Sequence, residues 1–373
     1  MTDTPSEPEV LLGVDRGVAT ITLNRPRAIN ALSHAMVRTI DAALIDWAAD
    51  PAVRVVLITG NGERGLCAGG DIVAIHDDAK AKPGANWPTG SATAQFWRDE
   101  YTMNARIHRY PKPVVAVMAG AVMGGGVGIS AHASVRVVTD TAKVAMPEVG
   151  IGFVPDVGGT YLLARTPGEI GTHLALTTAR MTAGDAIAAG FADHYVPTGD
   201  LEAFVEALHT GTVDTALSLA STAPDSTLAA HRTWIDDAYA GDDAAEIVAR
   251  LRRAGIDEAV AAADAIESKS PTSVVVTLRS LRRAAAATSL EEVLDEEYRV
   301  SIASLDSPDL VEGIRAQVVD KDRQPSWRPA SLDAVTAADV DRFFAPLGDA
   351  ELGLASRAEP LDPTPPVREG SPA

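Results

Sequence analysis

From Val10 to Leu23 apolar and polar residues alternate around Asp15-Arg16-Gly17, the pattern of two strands joined by a tight turn, and Asn24-Arg25-Pro26 closes the second strand. Met36, Val37, Ile40, Leu44 and Trp47 then recur at helical spacing, which predicts a helix over 33–49 with Ser33 as its N-cap. Val53 to Thr59 is a nearly unbroken β-branched run, as expected of a strand buried on both faces. A strand, a helix and another strand in succession place the chain in the α/β class.

The loop that follows is rich in glycine. Gly60, Gly62 and Gly65 have the spacing of a dinucleotide-binding turn, but no helix opens at the last of them, so that reading is set aside. Gly69-Gly70-Asp71 stands directly before a helical pattern. A helix start offers free backbone N–H groups and positive dipole density, which suit a phosphate or a developing oxyanion; the alternative is a plain turn capped by Asp71. Lys80 to Thr93, polar and broken by Pro83, Gly84, Pro88 and Gly90, predicts a lid-like loop. A helix over 94–109 then turns Trp97, Tyr101, Met103 and Ile107 inward as core residues and carries Glu100. Val114 to Met118 is a second buried strand, and the glycines from Gly120 to Gly128 repeat the first corner, opening a helix over 126–134. Two such corners can each supply one N–H.

Val135 to Thr139 leads into the stretch from Lys143 to Thr160, where Glu148 and Asp156 stand among Gly, Pro and apolar residues. Desolvation there raises a carboxylate's pKa and suits it to act as base or nucleophile, whereas the bland reading makes both turn or cap acids. Helices over 159–164, 171–178 and 182–190 and a short strand over 193–197 follow. After Asp200 the sequence becomes Ala-rich, charged and helical, with one helix starting at Ser270-Pro271-Thr272 and a capping box at Ser289 to Glu292. The expected organisation is a disordered N-terminus over 1–9, a catalytic core over 10–200, a mostly helical region over 201–345 and a Pro-rich, disordered tail over 346–373.

Composition narrows the partners. With 373 residues, 46% of them hydrophobic, the chain can bury one large core or two smaller ones. A formal charge of -19 argues against nucleic acid or an anionic membrane as the main partner, and a polyanionic ligand would need a local basic patch. No apolar run reaches the roughly 18 residues of a membrane span. The first ten residues lack the features of a signal or transit peptide, so a cytoplasmic location is expected by default. Cys67 is the only cysteine, which excludes an intrachain disulfide and suits a packed side chain, not a nucleophile. There is no nucleophile elbow, Walker loop or H-E-x-x-H, and the eight histidines are scattered without ligand spacing, so no metal is expected. Two candidate oxyanion corners and two carboxylates remain.

Several motifs carry a resemblance. Ile21-Thr-Leu-Asn-Arg-Pro26, Asn30-Ala-Leu32, Cys67-Ala-Gly-Gly-Asp71, Met123-Gly-Gly-Gly126 and Ala145-Met-Pro-Glu148 look like the enoyl-CoA hydratase/isomerase (crotonase) superfamily. Phe153-Val-Pro-Asp-Val-Gly-Gly159 resembles its 3-hydroxyisobutyryl-CoA hydrolase branch, as do Ser270-Pro-Thr-Ser273, Glu297-Tyr-Arg299 and Glu312-Gly-Ile-Arg-Ala316. The resemblance covers roughly Val10 to Phe344. It implies a crotonase-like spiral of ββα units with a helical C-terminal region, and hydrolysis of 3-hydroxyisobutyryl-CoA in valine catabolism. By the same resemblance Gly70 and Gly125 form the oxyanion hole, Glu148 and Asp156 are catalytic, and Glu100 joins Gly125, Glu148 and Asp156 in contacting substrate. No metal or organic cofactor is implied, since CoA arrives within the substrate. Hydratases of the superfamily carry a first glutamate where this chain has Gly128, which disfavours the two-carboxylate addition of water; an isomerase working with one glutamate, or an inactive acyl-CoA-binding protein, are the alternatives. Many members form trimers or pairs of trimers, so a homo-oligomer is one expected assembly; a single chain whose segment after Asp200 covers the association surface is the other.

Overall fold

The computed structural model describes residues 7–82 and 84–357. β1 (Val10–Asp15) and β2 (Val18–Leu23) form the hairpin, followed by α1 (His34–Ala48), β3 (Val55–Gly60), α2 (Ile72–Ala81), α3 (Ala92–His108) and β4 (Val114–Met118). Then come β5 (Ala121–Met123), α4 (Gly125–Ser130), β6 (Val135–Val138), β7 (Lys143–Ala145) and, after further helices, β8 (His194–Tyr195). The main sheet has the order β1-β2-β3-β4-β6-β8; β1 pairs antiparallel to β2, and the other pairs are parallel.

Strands that are apolar on both faces explain the unbroken β-branched runs, because alternate residues of one strand enter two different layers. Val55, Leu57, Val115, Val117 and Val137 pack against Phe204, Leu208 and Ala216 of the helices Leu201–Thr210 and Val213–Leu217. Val56, Ile58, Ala116, Met118 and Val138 face the other way, into a cluster that takes in α1 and α3 and continues to Leu352. The later helices therefore share the core of the first two hundred residues.

A second, smaller sheet was not legible in the sequence. β5 pairs parallel to β7, and Cys67 bridges Val122 on the other side of β5. Three residues are too few to show alternation, so only the fold reveals these strands. Their arrangement aligns three chain segments side by side, and each runs at once into a corner: Gly69-Gly70 after Cys67, Gly124-Gly125 after Met123, and Glu148 after Ala145.

Other expectations need correction. The polar segment expected over 80–93 is shorter, because α2 extends to Ala81 and α3 begins at Ala92 with the Ser91 hydroxyl accepting from the Ala94 N–H. The helix expected over 126–134 is α4, already finished at Ser130. Part of the segments expected to be disordered is held in place: Glu9 accepts the Asn24 N–H and pairs with Arg25, and Asp295 accepts the N–H groups of Leu354 and Ala355. Residues 1–6 and 358–373 lie outside the described residues.

Candidate active site

α3 delivers polar groups to the interior because Glu100, Tyr101 and Asn104 fall on the face that also carries Trp97 and Met103; all are buried. α4 packs against that face through glycine. A Cβ built on Gly125 would lie 2.6 Å from Glu100 Oε1, and one on Gly128 would lie 2.3 Å from Asn104 Nδ2 and 2.8 Å from Val157 Cβ. Only glycine allows the two helices to approach this closely.

The two glycine corners abut. A Cβ on Gly124 would sit 3.6 Å from Gly69 Cα and 3.0 Å from Glu148 Oε1, so both corners and the glutamate share one point in space. Among the described residues neither the Gly70 nor the Gly125 amide donates a hydrogen bond, and Gly125 is the first residue of its helix, where the N–H has no intrahelical acceptor. A cavity of about 130 Å³ opens there, lined by Gly70, Gly125, Glu100, Glu148 and Asp156 and walled by Ile72, Trp97, Phe153, Leu310 and Ile314. Trp97 stacks on Phe153 at 5.2 Å, making it a cavity wall as well as the core residue expected. An adjoining cleft of about 320 Å³ shares Ile75 and Phe96 with the cavity and adds Ser33, His34, Asp71, Asp78 and Thr93.

Three acids at this cavity are buried, and burial moves each toward the neutral form. It raises Glu148 well above the ordinary carboxylate range, with the Asp156 charge adding to the effect, and does the same to Glu100. Asp156 is raised as well, opposed by the Tyr101 hydroxyl, which donates to Asp156 Oδ2 at 2.7 Å and lies 2.8 Å from Ser301 Oγ. Glu100 Oε1 and Glu148 Oε2 have no partner within the protein among the described residues. Such orphans are costly in a core and suit atoms that meet a ligand.

The bland readings of several residues can now be judged. Neither Glu148 nor Asp156 caps a helix with its side chain: the 3-10 turn Glu148–Ile151 has no side-chain cap, and Asp156 is held by Tyr101. Asp71 does not cap α2 either; it accepts from Arg25, which also pairs with Glu9. Cys67 is fully buried and its thiol is pushed up to about 12, the state of a packed side chain. Tyr101, Asn104, Ser301 and Glu297 were missed as site residues. Tyr101 read as core, and its role rests on a partner 55 positions away that no local pattern reveals.

Among the described residues no three His, Cys, Asp or Glu side chains gather as a metal site would need, and no helix is long and apolar enough to cross a membrane.

Comparison with known proteins adds the following. The sequence profile described as Enoyl-CoA hydratase/isomerase matches residues 18–344. The mitochondrial 3-hydroxyisobutyryl-CoA hydrolase of Gallus gallus is 39% identical, over 94% of this chain and 92% of that protein; that of Homo sapiens is 37% identical over the same shares. Two crystal structures superpose over nearly the whole chain. A carnitinyl-CoA dehydratase from Mycobacterium thermoresistibile is 55% identical with a TM-score of 0.87, covering 93% of this chain and 98% of that one. An enoyl-CoA hydratase from Rhodobacter sphaeroides is 44% identical with a TM-score of 0.86, covering 92% and 99%. These neighbours give the fold as the crotonase-like spiral. The expected cytoplasmic location does not stand, because the curated relatives are named as mitochondrial proteins.

Proposed function

The chain belongs to the enoyl-CoA hydratase/isomerase family, and from that premise we propose that it is a thioesterase converting 3-hydroxyisobutyryl-CoA and water to 3-hydroxyisobutyrate and CoA, a step of valine catabolism. The curated relatives carry the hydrolase name, while the two crystal structures carry dehydratase and hydratase names. One observation favours hydrolysis. The place of the first hydratase glutamate is Gly128, and the space beside it is filled by Asn104 and Val157, while a second acid, Asp156, lines the cavity with Glu148.

In this reading the amides of Gly70 and Gly125 receive the thioester oxygen as negative charge develops on it, an interaction of several kcal/mol. Glu148 attacks the carbonyl carbon, or activates the water that does. The C–S bond breaks, and CoA leaves as thiolate and takes up a proton; after attack by Glu148, water deprotonated by Asp156 cleaves the mixed anhydride to the free acid and restores Glu148, whereas if Glu148 activates the water, Asp156 positions it. Burial favours the neutral form of Glu100, and in that form it can donate a hydrogen bond to the hydroxyl of the acyl group. The adjoining cleft gives room for the pantetheine arm. These groups supply the whole reaction with no further cofactor.

Free thiol release from (S)-3-hydroxyisobutyryl-CoA tests the assignment. Wild type should release CoA, and Glu148→Gln should lower kcat by about 10³-fold, in the range of lost acid–base or nucleophilic groups. No release by wild type, together with hydration of a 2-enoyl-CoA or isomerisation of a 3-enoyl-CoA, would move the protein to the other reactions of the family. Label found in the enzyme after a single turnover in H₂¹⁸O would establish attack by Glu148, with water then adding to the glutamyl carbonyl of the anhydride.

A further inference from the structure

Asp156 stands at the head of an unfavourable turn. Val157, the next residue, has φ of 55°, a left-handed conformation that a β-branched side chain rarely adopts, and Gly158 follows at 78°. Such a conformation persists only where the surroundings over-determine it. Here His132 Nε2 meets the Val157 carbonyl at 2.8 Å, and a carboxylate from a distant helix, Leu290–Leu305, holds the rest of the turn. Glu297 Oε2 accepts the Gly158 N–H at 2.6 Å, and Oε1 accepts both the Thr160 N–H at 2.9 Å and the Thr160 hydroxyl at 2.6 Å. Within the turn, the Gly159 N–H closes on the Asp156 carbonyl at 2.6 Å. The same helix supplies Ser301, which meets the Tyr101 hydroxyl that holds Asp156. One helix thus governs Asp156 from both its backbone and its side chain.

We propose that Glu297 is a positioning residue for the hydrolysis: its carboxylate clamps the strained turn over 157–160 and thereby aims Asp156 at the cavity. The inference rests on the hydrolase reading for its catalytic consequence, but not for the clamp itself. Glu297 is buried, and burial pushes it up to about 8 against three hydrogen bonds that favour its charged form. The groups facing it are Asp156 and Thr160 on the turn, Tyr101 on α3 and Glu148 on its 3-10 turn. On the outer side a narrow cleft adds Glu292 and the Arg283–Glu296 pair, whose N–O distance is 2.6 Å.

Glu297→Gln separates this role from packing. The variant keeps the size of the side chain but turns an N–H₂ group toward one of the backbone donors. The expected kcat is about 10- to 100-fold lower with KM within about twofold, because the misplaced group acts in the chemical step. Hydrogen exchange at the Gly158 and Thr160 amides should accelerate, a readout that needs no substrate and stands even where the hydrolase reading fails. Thr160→Val, which deletes one donor and preserves shape, should change kcat and exchange in the same direction by less. Wild-type kcat in either folded variant, or exchange at 158 and 160 unchanged in Glu297→Gln, would overturn the proposal.

Discussion

Glu148 is a carboxylate in a place that stabilises its neutral form, and this has a measurable consequence for the folded protein. A group whose folded-state pKa lies above its unfolded value contributes stability that is fully present below the unfolded pKa and lost as pH rises through the folded one. Burial raises Glu148 and Glu100, so the native state should weaken as pH rises above the ordinary carboxylate range and these groups are forced to ionise. Glu148→Gln removes that cost. It should melt roughly 2 to 4 °C higher than wild type at pH 8 and show a much smaller difference at pH 5, while losing activity. Equal melting temperatures at pH 8 would mean that the glutamate is not held in a desolvated state. Gly128→Glu, the residue the hydratases carry, should be strongly destabilising, because its Cβ alone collides with Asn104 and Val157; it should lower the melting temperature and create no hydratase activity. At this scale the sequence was legible where chemistry and local backbone coincide. Glu148, Asp156 and the two glycine pairs stand out against Gly/Pro-rich surroundings, whereas Tyr101 and Glu297 take their meaning from partners 55 and 137 positions away.

The long, strongly periodic elements, β2, α1, β3 and β4, were readable because burial dictates their pattern over five or more residues. The small sheet was not, yet it does the most to build the site, since the Cys67 bridge, β5 and β7 bring three corners into line. A second element reaches the same place from the far end of the chain. The helix Pro308–Ile314 lies on the turn Glu148–Ile151 so closely that a Cβ on Gly313 would stand 2.3 Å from the Ile151 carbonyl carbon. The position of this helix is fixed by Asp309, which accepts from the Ser270 hydroxyl at 2.6 Å and the Arg328 N–H at 2.8 Å. Gly313→Ala should therefore push the catalytic turn, destabilise the protein by about 1 to 3 kcal/mol as overpacked cores do, and lower kcat about tenfold. Thermal melting and steady-state kinetics on the one variant check both; unchanged kinetics would show that the turn is positioned independently of the helix.

Across the whole molecule, the boundary suggested at Asp200 marks a change of composition but not of core, because one apolar cluster joins both sides of it. Composition is read locally, while packing is not. The segment after Phe344 is a further case. Leu352 is buried, Arg98 on α3 donates to the carbonyls of Ala350 and Glu351, and Arg299 pairs with the Glu351 carboxylate at 2.8 Å. Deleting 346–373 should lower the melting temperature by several degrees and reduce activity through α3, which bears Glu100 and Tyr101.

Leu310 and Ile314 roof the cavity that the first half of the chain floors, and both belong to the same polypeptide. Every residue described as lining this cavity thus comes from one copy of the chain. Turnover per molecule should then stay constant when the enzyme is diluted from micromolar to picomolar, and mixing with an inactive variant should subtract activity only in proportion to the copies replaced.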